Sequence, residues 1–139
     1  MKLFSFFSQE LAIDLGTANT LIMSDGKVVV DEPSIVAIDR RTGETIAVGQ
    51  RAMQMHEKTH ENIKTVRPLR DGVIADYVVT EAMLRYFIQK VGGRSWFFRP
   101  EVMICVPAGC TQVEKRAVEA ATTSAGAKEV FIIQEPFAA

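Results

Sequence analysis

Residues 12–20 read Ala12-Ile13-Asp14-Leu15-Gly16-Thr17-Ala18-Asn19-Thr20. The apolar run Leu11–Ile13 has the character of a buried strand, and it ends in an acid, Asp14. A turn of Gly16 and small polar residues follows, and then a second apolar run, Leu21 to Met23. A phosphate binds where backbone N–H groups turn toward it and bulky side chains stay away, so Gly16, Thr17, Ala18 and Asn19 suit such a bend. A carboxylate beside a bare phosphate is repulsive. It becomes compatible when a divalent cation lies between them, held through water as Mg²⁺ usually is. The plainer reading is a hairpin turn after a core strand, with Asp14 starting it, and this segment alone leaves both open.

The chain has 139 residues, enough for one core, with 47% hydrophobic and 24% charged residues. A formal net charge of −1 gives nucleic acid no bulk electrostatic attraction. The two cysteines, Cys105 and Cys110, match neither a zinc site nor a disulfide framework and read as buried thiols. No apolar run approaches the ~20 residues of a membrane span. At the N-terminus, however, Leu3, Phe4, Phe6 and Phe7 crowd beside Lys2. This segment reads either as a tail packed on the domain or as a short amphipathic anchor in a membrane interface.

Outward from the opening stretch, Ser24-Asp25-Gly26-Lys27 lies between two apolar runs and predicts a hairpin. Strands are expected at 34–38 and 45–48, joined by the turn Arg41–Glu44. The polar stretch 50–64 reads as a short helix and an exposed loop. Met83, Leu84, Phe87, Ile88 and Val91 form one helical stripe over 80–91, stopped by Gly92-Gly93. A strand at 102–106 follows. Thr111 and Glu114 have capping-box spacing and open a helix over 112–125, with Gly126 closing it. A strand at 130–133 then pairs in parallel with the strand before it, through the helical crossover. The order predicts a mixed sheet. Asp71, Asp76 and Thr80 read as turn and cap residues, and Trp96, Phe97 and Phe98 as core or interface.

Two constellations bear on chemistry. His56-Glu57-Lys58-Thr59-His60 matches the His-Glu-x-x-His zinc pattern, but the chain has no further His for a third ligand and the segment is polar on all sides. It reads as a chance match. Glu135 is a second acid at a strand end. It can orient water for attack on a phosphate, or merely complement a helix dipole. Parallel strands ending in Asp14 and Glu135 direct both acids into one crevice.

Several blocks together carry a family resemblance. Ile13–Thr20 resembles the first phosphate loop of the actin, Hsp70 and sugar-kinase superfamily. Asp31-Glu32-Pro33-Ser34-Ile35-Val36-Ala37, Arg67–Asp76, Cys105-Val106-Pro107, Thr111–Arg116 and Gln134–Ala139 narrow it to the MreB family of bacterial actins. The match runs over nearly the whole chain, in order. It implies an α/β, actin-like fold: a first large subdomain, IA, over 10–31 and 71–139, with an inserted small α+β subdomain, IB, over 32–70. It implies ATP and Mg as cofactors. Asp14 would hold Mg²⁺ through water, Gly16, Thr17, Ala18 and Asn19 would cradle phosphates, and Glu135 would position the attacking water. It also implies that residues 1–9 bind membrane through Leu3, Phe4, Phe6 and Phe7. The implied function is a cytoskeletal ATPase forming filaments with itself at the inner face of the cytoplasmic membrane. It would work with cell-wall synthesis and shape proteins to set rod shape, with no nucleic-acid partner. Gln134 stands where the family commonly has a first acid before Glu135. The chain reaches less than half of the family's length, without the second phosphate loop or the adenosine pocket, and so reads as inactive alone. The competing classes are another actin-fold ATPase, such as an Hsp70-like chaperone or a small-molecule kinase, and a non-catalytic binding fragment.

Overall fold

Strand β1, Glu10–Leu15, alternates in burial along its length, with Leu11, Ile13 and Leu15 buried and Glu10 and Asp14 exposed. A strand with a period-2 pattern must bury one face, and β1 does so at the centre of a five-stranded sheet. The computed structural model describes residues 9–58, 61–93 and 98–134. On one side β1 pairs antiparallel with β2, Asn19–Ser24, which pairs antiparallel with β3, Lys27–Pro33. The Asp25-Gly26 turn between them has φ 52° and 75°, a left-handed pair that suits a two-residue hairpin. On the other side β1 runs parallel to β9, Glu101–Val106, which runs parallel to β10, Glu129–Gln134. The sheet order is β10-β9-β1-β2-β3, so the expected mixed sheet and parallel final pair are both present.

A second sheet has the order β5-β4-β6, from β4 (Val36–Asp39), β5 (Thr45–Val48) and β6 (Ile63–Val66). Helix α1, Gln50–Glu57, packs on it through Ala52, and Ile35, Ala37 and Ala47 complete a small core separate from the main one. The stretch 50–64, expected to be helix and exposed loop, therefore also contributes β6. Strands β7 (Leu69–Arg70) and β8 (Val73–Ile74) form a short hairpin around Asp71 and Gly72.

Two helices cover one face of the five-stranded sheet. Helix α2, Tyr77–Gly92, buries Val79, Met83, Leu84, Phe87 and Ile88 in the main core. It starts one turn earlier than the apolar stripe indicates, because Asp76 is its N-cap and accepts the Val79 N–H at 3.1 Å. Helix α3, Gln112–Ser124, buries Val118 and Ala121 beside Val102, Ile104 and Val106 of β9. Side chains of this size contribute about 1.5–3 kcal/mol each on full burial. Of the aromatic cluster after α2, Phe98 packs against the main core, whereas Trp96 and Phe97 lie outside the described residues. The sheet's other face carries the row Phe131, Met103, Ala12 and Met23, which sit on adjacent strands in register. Three of these stay exposed: Phe131 at 52%, Met103 at 43% and Met23 at 42%.

The capping box at α3 is complete. Thr111 Oγ1 accepts the Glu114 N–H at 3.1 Å, and the Glu114 carboxylate accepts the Thr111 N–H at 2.8 Å. The hydrogen bonds from Thr111 hold the Glu114 carboxyl below the usual glutamate range. A group with a depressed folded pKa stabilises above its unfolded pKa and loses that contribution as pH falls through the folded one. Thr111→Ala is expected to cost about 1 kcal/mol in denaturant unfolding at neutral pH. The stability difference between wild type and Glu114→Ala should be largest above about pH 4.3, the ordinary glutamate value, and shrink as the pH falls below it.

Candidate functional site

The parallel strands β1, β9 and β10 bring their carboxyl ends to one edge of the sheet. Asp14 pairs with Cys105, and Gln134 with Val106, in adjacent rungs. Asp14 is exposed there, at the last turn of β1 before the bend 16–19. In open α/β sheets this edge is where ligands bind. Glu135 follows Gln134 in sequence but lies outside the described residues. So do Leu3, Phe4, Phe6 and Phe7.

The bend itself is held from behind. Gly16 N donates to Asn19 O at 3.1 Å, Ser34 N to Ala18 O at 2.8 Å, and the Ser34 hydroxyl to Gly16 O at 2.7 Å. The carbonyls of Gly16, Ala18 and Asn19 are therefore engaged within the protein. What such a bend retains for a ligand is its amide N–H edge, the polarity an anion requires. Thr17 and Asn19 are tied on their side chains. Thr17 Oγ1 accepts the Gly72 N–H at 2.7 Å, which brings the β7–β8 hairpin tip over the bend. Asn19 Nδ2 donates to Asp31 Oδ1 at 3.2 Å.

Asp14, Leu15, Gly16, Gly72, Cys105, Val106 and Pro107 line a cavity of about 170 Å³ at this edge. This is below the roughly 300–1,000 Å³ of a complete small-molecule pocket. It suits a phosphate end with a hydrated cation and is too small for a whole nucleotide. The residues present fit that group: an exposed carboxylate for cation-bound water, and a bend whose carbonyls face away. A larger cavity of about 410 Å³ lies at the opposite end of the sheet, between Glu10, Glu101, Met103 and Phe131. Its lining includes no turn with inward-held carbonyls, so size alone does not mark the site.

Of the zinc-like pair, only His56 falls among the described residues. His56 Nδ1 shares a 2.6 Å hydrogen bond with Thr65 Oγ1 across to β6, and His60 lies outside the described residues. Among the described residues no three His, Cys, Asp or Glu side chains are grouped to hold a metal ion. Burial pushes the Cys110 thiol up, which disfavours its thiolate. Cys105 is half-buried in β9 instead of fully buried as its apolar run suggests. Asp71 forms the hairpin turn with φ 53°, and Thr80 bonds back to Asp76 O, so these residues take structural roles as expected.

With this geometry in view, comparison with known proteins identifies the chain's relatives. Residues 8–139 match the family model described as MreB/Mbl protein. The chain belongs to the MreB/Mbl family. The cell shape-determining protein MreB of Escherichia coli is 52% identical over 145 residues, covering 99% of this chain and 42% of that protein. The cell shape-determining protein Mbl of Bacillus cereus is 50% identical over 131 residues, covering 94% of this chain and 39% of that protein. The crystal structure of MreB5 of Spiroplasma citri bound to ADP superposes with a TM-score of 0.79 at 34% identity, over 91% of this chain and 38% of that one. The fold is actin-like, as the motif order implies. This MreB/Mbl-family chain spans about two fifths of the length of the relatives it matches.

Four site residues escape sequence reading. Ser34, Thr20, Asp31 and Gly72 act through partners 12 to 55 positions away. Asp71-Gly72 carried a turn signal that pointed to the hairpin. Nothing local marked Ser34 except a small polar residue entering an apolar strand.

A side chain at Gly16 has no room. A Cβ there would stand 2.5 Å from Asn19 O, a backbone atom that cannot swing away. Gly16→Ala is expected to open the bend and lower stability by about 1–3 kcal/mol. Thermal unfolding together with NMR shift changes confined to residues 16–20 and 72 would verify this, and an unchanged melting temperature would refute it.

Proposed function

We propose that this chain is the phosphate-binding, N-terminal part of an actin-like cytoskeletal ATPase. The observation that carries this reading is the pairing of Asp14, exposed at the end of β1, with a bend whose carbonyls are held inward. In the complete protein ATP is the nucleotide and Mg²⁺ its cation. MreB5 of Spiroplasma citri, a 34% identical relative, was solved with ADP and with AMPPNP, which supports a nucleotide here.

The residues divide the work as follows. Asp14 holds cation-bound water, and Thr17, Ala18 and Asn19 present amide N–H groups to phosphate oxygens, while Gly16, whose own N–H closes the bend onto Asn19 O, leaves room for the phosphate to approach. The bound cation supplies charge neutralisation between carboxylate and phosphate. Glu135, which follows Gln134 in sequence, positions the attacking water. Preorganised donors of this kind need no rearrangement when charge develops. The separate small core of Ile35, Ala37, Ala47 and Ala52 supports a division into subdomain IA, 10–31 and 71–139, and an inserted subdomain IB, 32–70.

The complete protein assembles with itself into filaments on the inner face of the cytoplasmic membrane and guides cell-wall synthesis and rod shape with membrane-bound partners. The names of the E. coli and B. cereus relatives support the cell-shape role. No helix among the described residues is long and apolar enough to cross a membrane. Residues 1–9 provide the attachment, through Leu3, Phe4, Phe6 and Phe7, a reading supported by the crowding of these apolar side chains beside Lys2.

Nucleotide binding tests the site. Phosphate contacts in open water are screened, so the 139-residue chain should bind Mg-ATP at best at millimolar affinity by calorimetry. In the complete protein, Asp14→Ala should weaken Mg-ATP binding, whereas Glu135→Ala should slow hydrolysis while largely sparing affinity. Micromolar binding by the isolated chain, or an unchanged hydrolysis rate for Glu135→Ala, contradicts these assignments.

Membrane attachment should be cooperative. Four apolar side chains contribute at most about 1.5–3 kcal/mol each, against about 1 kcal/mol or more per residue for ordering the tail. One tail is then weak and many tails on a filament are strong. Liposome co-sedimentation of the complete protein should fall on deleting residues 1–9, and most under polymerising conditions. Equal pelleting after the deletion would move the anchor elsewhere.

A further inference from the structure

Ser34 is fully buried, and so is Thr20, whose hydroxyl lies 2.8 Å from the Ser34 hydroxyl. A serine hydroxyl has one proton to give. That proton goes to Gly16 O, which can only accept, so Thr20 must be the donor to Ser34. The Ser34 backbone N–H meanwhile holds Ala18 O. One residue thus fixes two carbonyls of the bend, and its own lone pair is satisfied from behind.

Glu32 lies two residues earlier, near the end of β3, just before the bend that holds Ser34. Its side chain is only 12% exposed and is fully engaged. Oε1 accepts the Gln50 N–H at 3.0 Å, and Oε2 pairs with Lys90 Nζ of α2. Gln50 opens α1, whose N-cap is Gly49 and has no side chain to offer. Glu32 therefore caps a helix that belongs to the other sheet. The fit is close: a Cβ at Gly49 would come 2.3 Å from Glu32 Oε1. Asp31, next to it, holds the Asn19 side chain. Residues 31–34 consequently grip the bend at one end, and α1 and α2 at the other.

We propose that Ser34 and Glu32 form a brace through which occupancy of the bend at residues 16–19 is transmitted to the first turn of α1 and hence to the small sheet. This rests on the reading of that bend as a phosphate site. Ser34 is a positioning residue: it touches no ligand and sets which way the bend's amides face. Coupling of this kind is a free energy shared between the two ends, so loosening the α1 end is expected to weaken binding at the bend.

Amide hydrogen exchange on the full-length protein, with and without Mg-ADP, tests it alongside measured nucleotide affinity. In wild type, Mg-ADP should slow exchange at residues 16–20 and also at 50–53. Glu32→Ala should keep protection at 16–20, lose it at 50–53, and weaken Mg-ADP binding about five- to tenfold. Ser34→Ala should speed exchange at 16–20 without nucleotide while α3 and β9 keep their protection. If Ser34→Ala raises exchange throughout, the Glu32→Ala result decides. Protection at 50–53 that survives Glu32→Ala overturns the brace, as does its absence in wild type. If Asp14→Ala abolishes binding while Glu32→Ala changes neither affinity nor exchange, the brace alone fails. If wild type shows no protection at 16–20, the phosphate reading fails and the brace with it.

Discussion

Strand β1 has hydrogen-bonded neighbours along both edges, antiparallel β2 on one and parallel β9 on the other. The other elements take their positions from it. On its parallel side β9 and β10 are also parallel to each other, which forces the helical crossover between them, because parallel neighbours cannot be joined by a tight turn. The antiparallel edge forces the chain to reverse at residues 16–19. One strand therefore creates both the bend and the sheet edge that collects the carboxyl ends of β9 and β10 beside it. Its Leu11, Ile13 and Leu15 belong to one core with the buried residues of α2 and α3, so the same six residues serve the core and the site.

The bend illustrates how a fold converts backbone chemistry into recognition. Peptide groups are symmetric in what they offer, one donor and one acceptor each. A site for an anion arises only when the acceptors are consumed on one side. Here Asn19, Ala18 and Gly16 lose their carbonyls to partners from the bend itself and from Ser34. The selectivity lies in those internal bonds more than in any side chain directed at the ligand. The side chains of Thr17 and Asn19 are spent on Gly72 and Asp31, which leaves the ligand-facing work to the main chain.

Much of this was legible in the sequence where the signal was local. The alternation of β1, the Asp-Gly turn of the β2–β3 hairpin, the stripe of α2 and the Thr111/Glu114 box each sit within a few residues of their partners. The phosphate bend was legible for the same reason, through a strand, an acid and a run of small residues. Strand β6 was not, because Ile63-Lys64-Thr65-Val66 is a short edge strand with a polar approach, stabilised by pairing with β4. The roles of Ser34 and Glu32 were also hidden. A buried hydroxyl and a capping carboxylate are recognisable only by their partners, and these lie 14 to 58 residues away in sequence. The α2 start was misplaced by one turn because Tyr77 and Val78 are exposed and interrupt the apolar stripe that Asp76 nevertheless precedes.

The row formed by Phe131, Met103, Ala12 and Met23 has a bearing on handling the molecule. Parallel strands are ordinarily covered on both faces, and here α2 and α3 cover one. Every copy of the chain in solution presents the same oily stripe, so contacts that shield it from water lower the free energy whatever their geometry. Solubility then becomes a colloidal property of this stripe. Because association stabilises whatever state it binds, the apparent melting temperature will drift with protein concentration. Thermal data gathered at a single concentration would report the stickiness of one sheet face together with the strength of the core behind it.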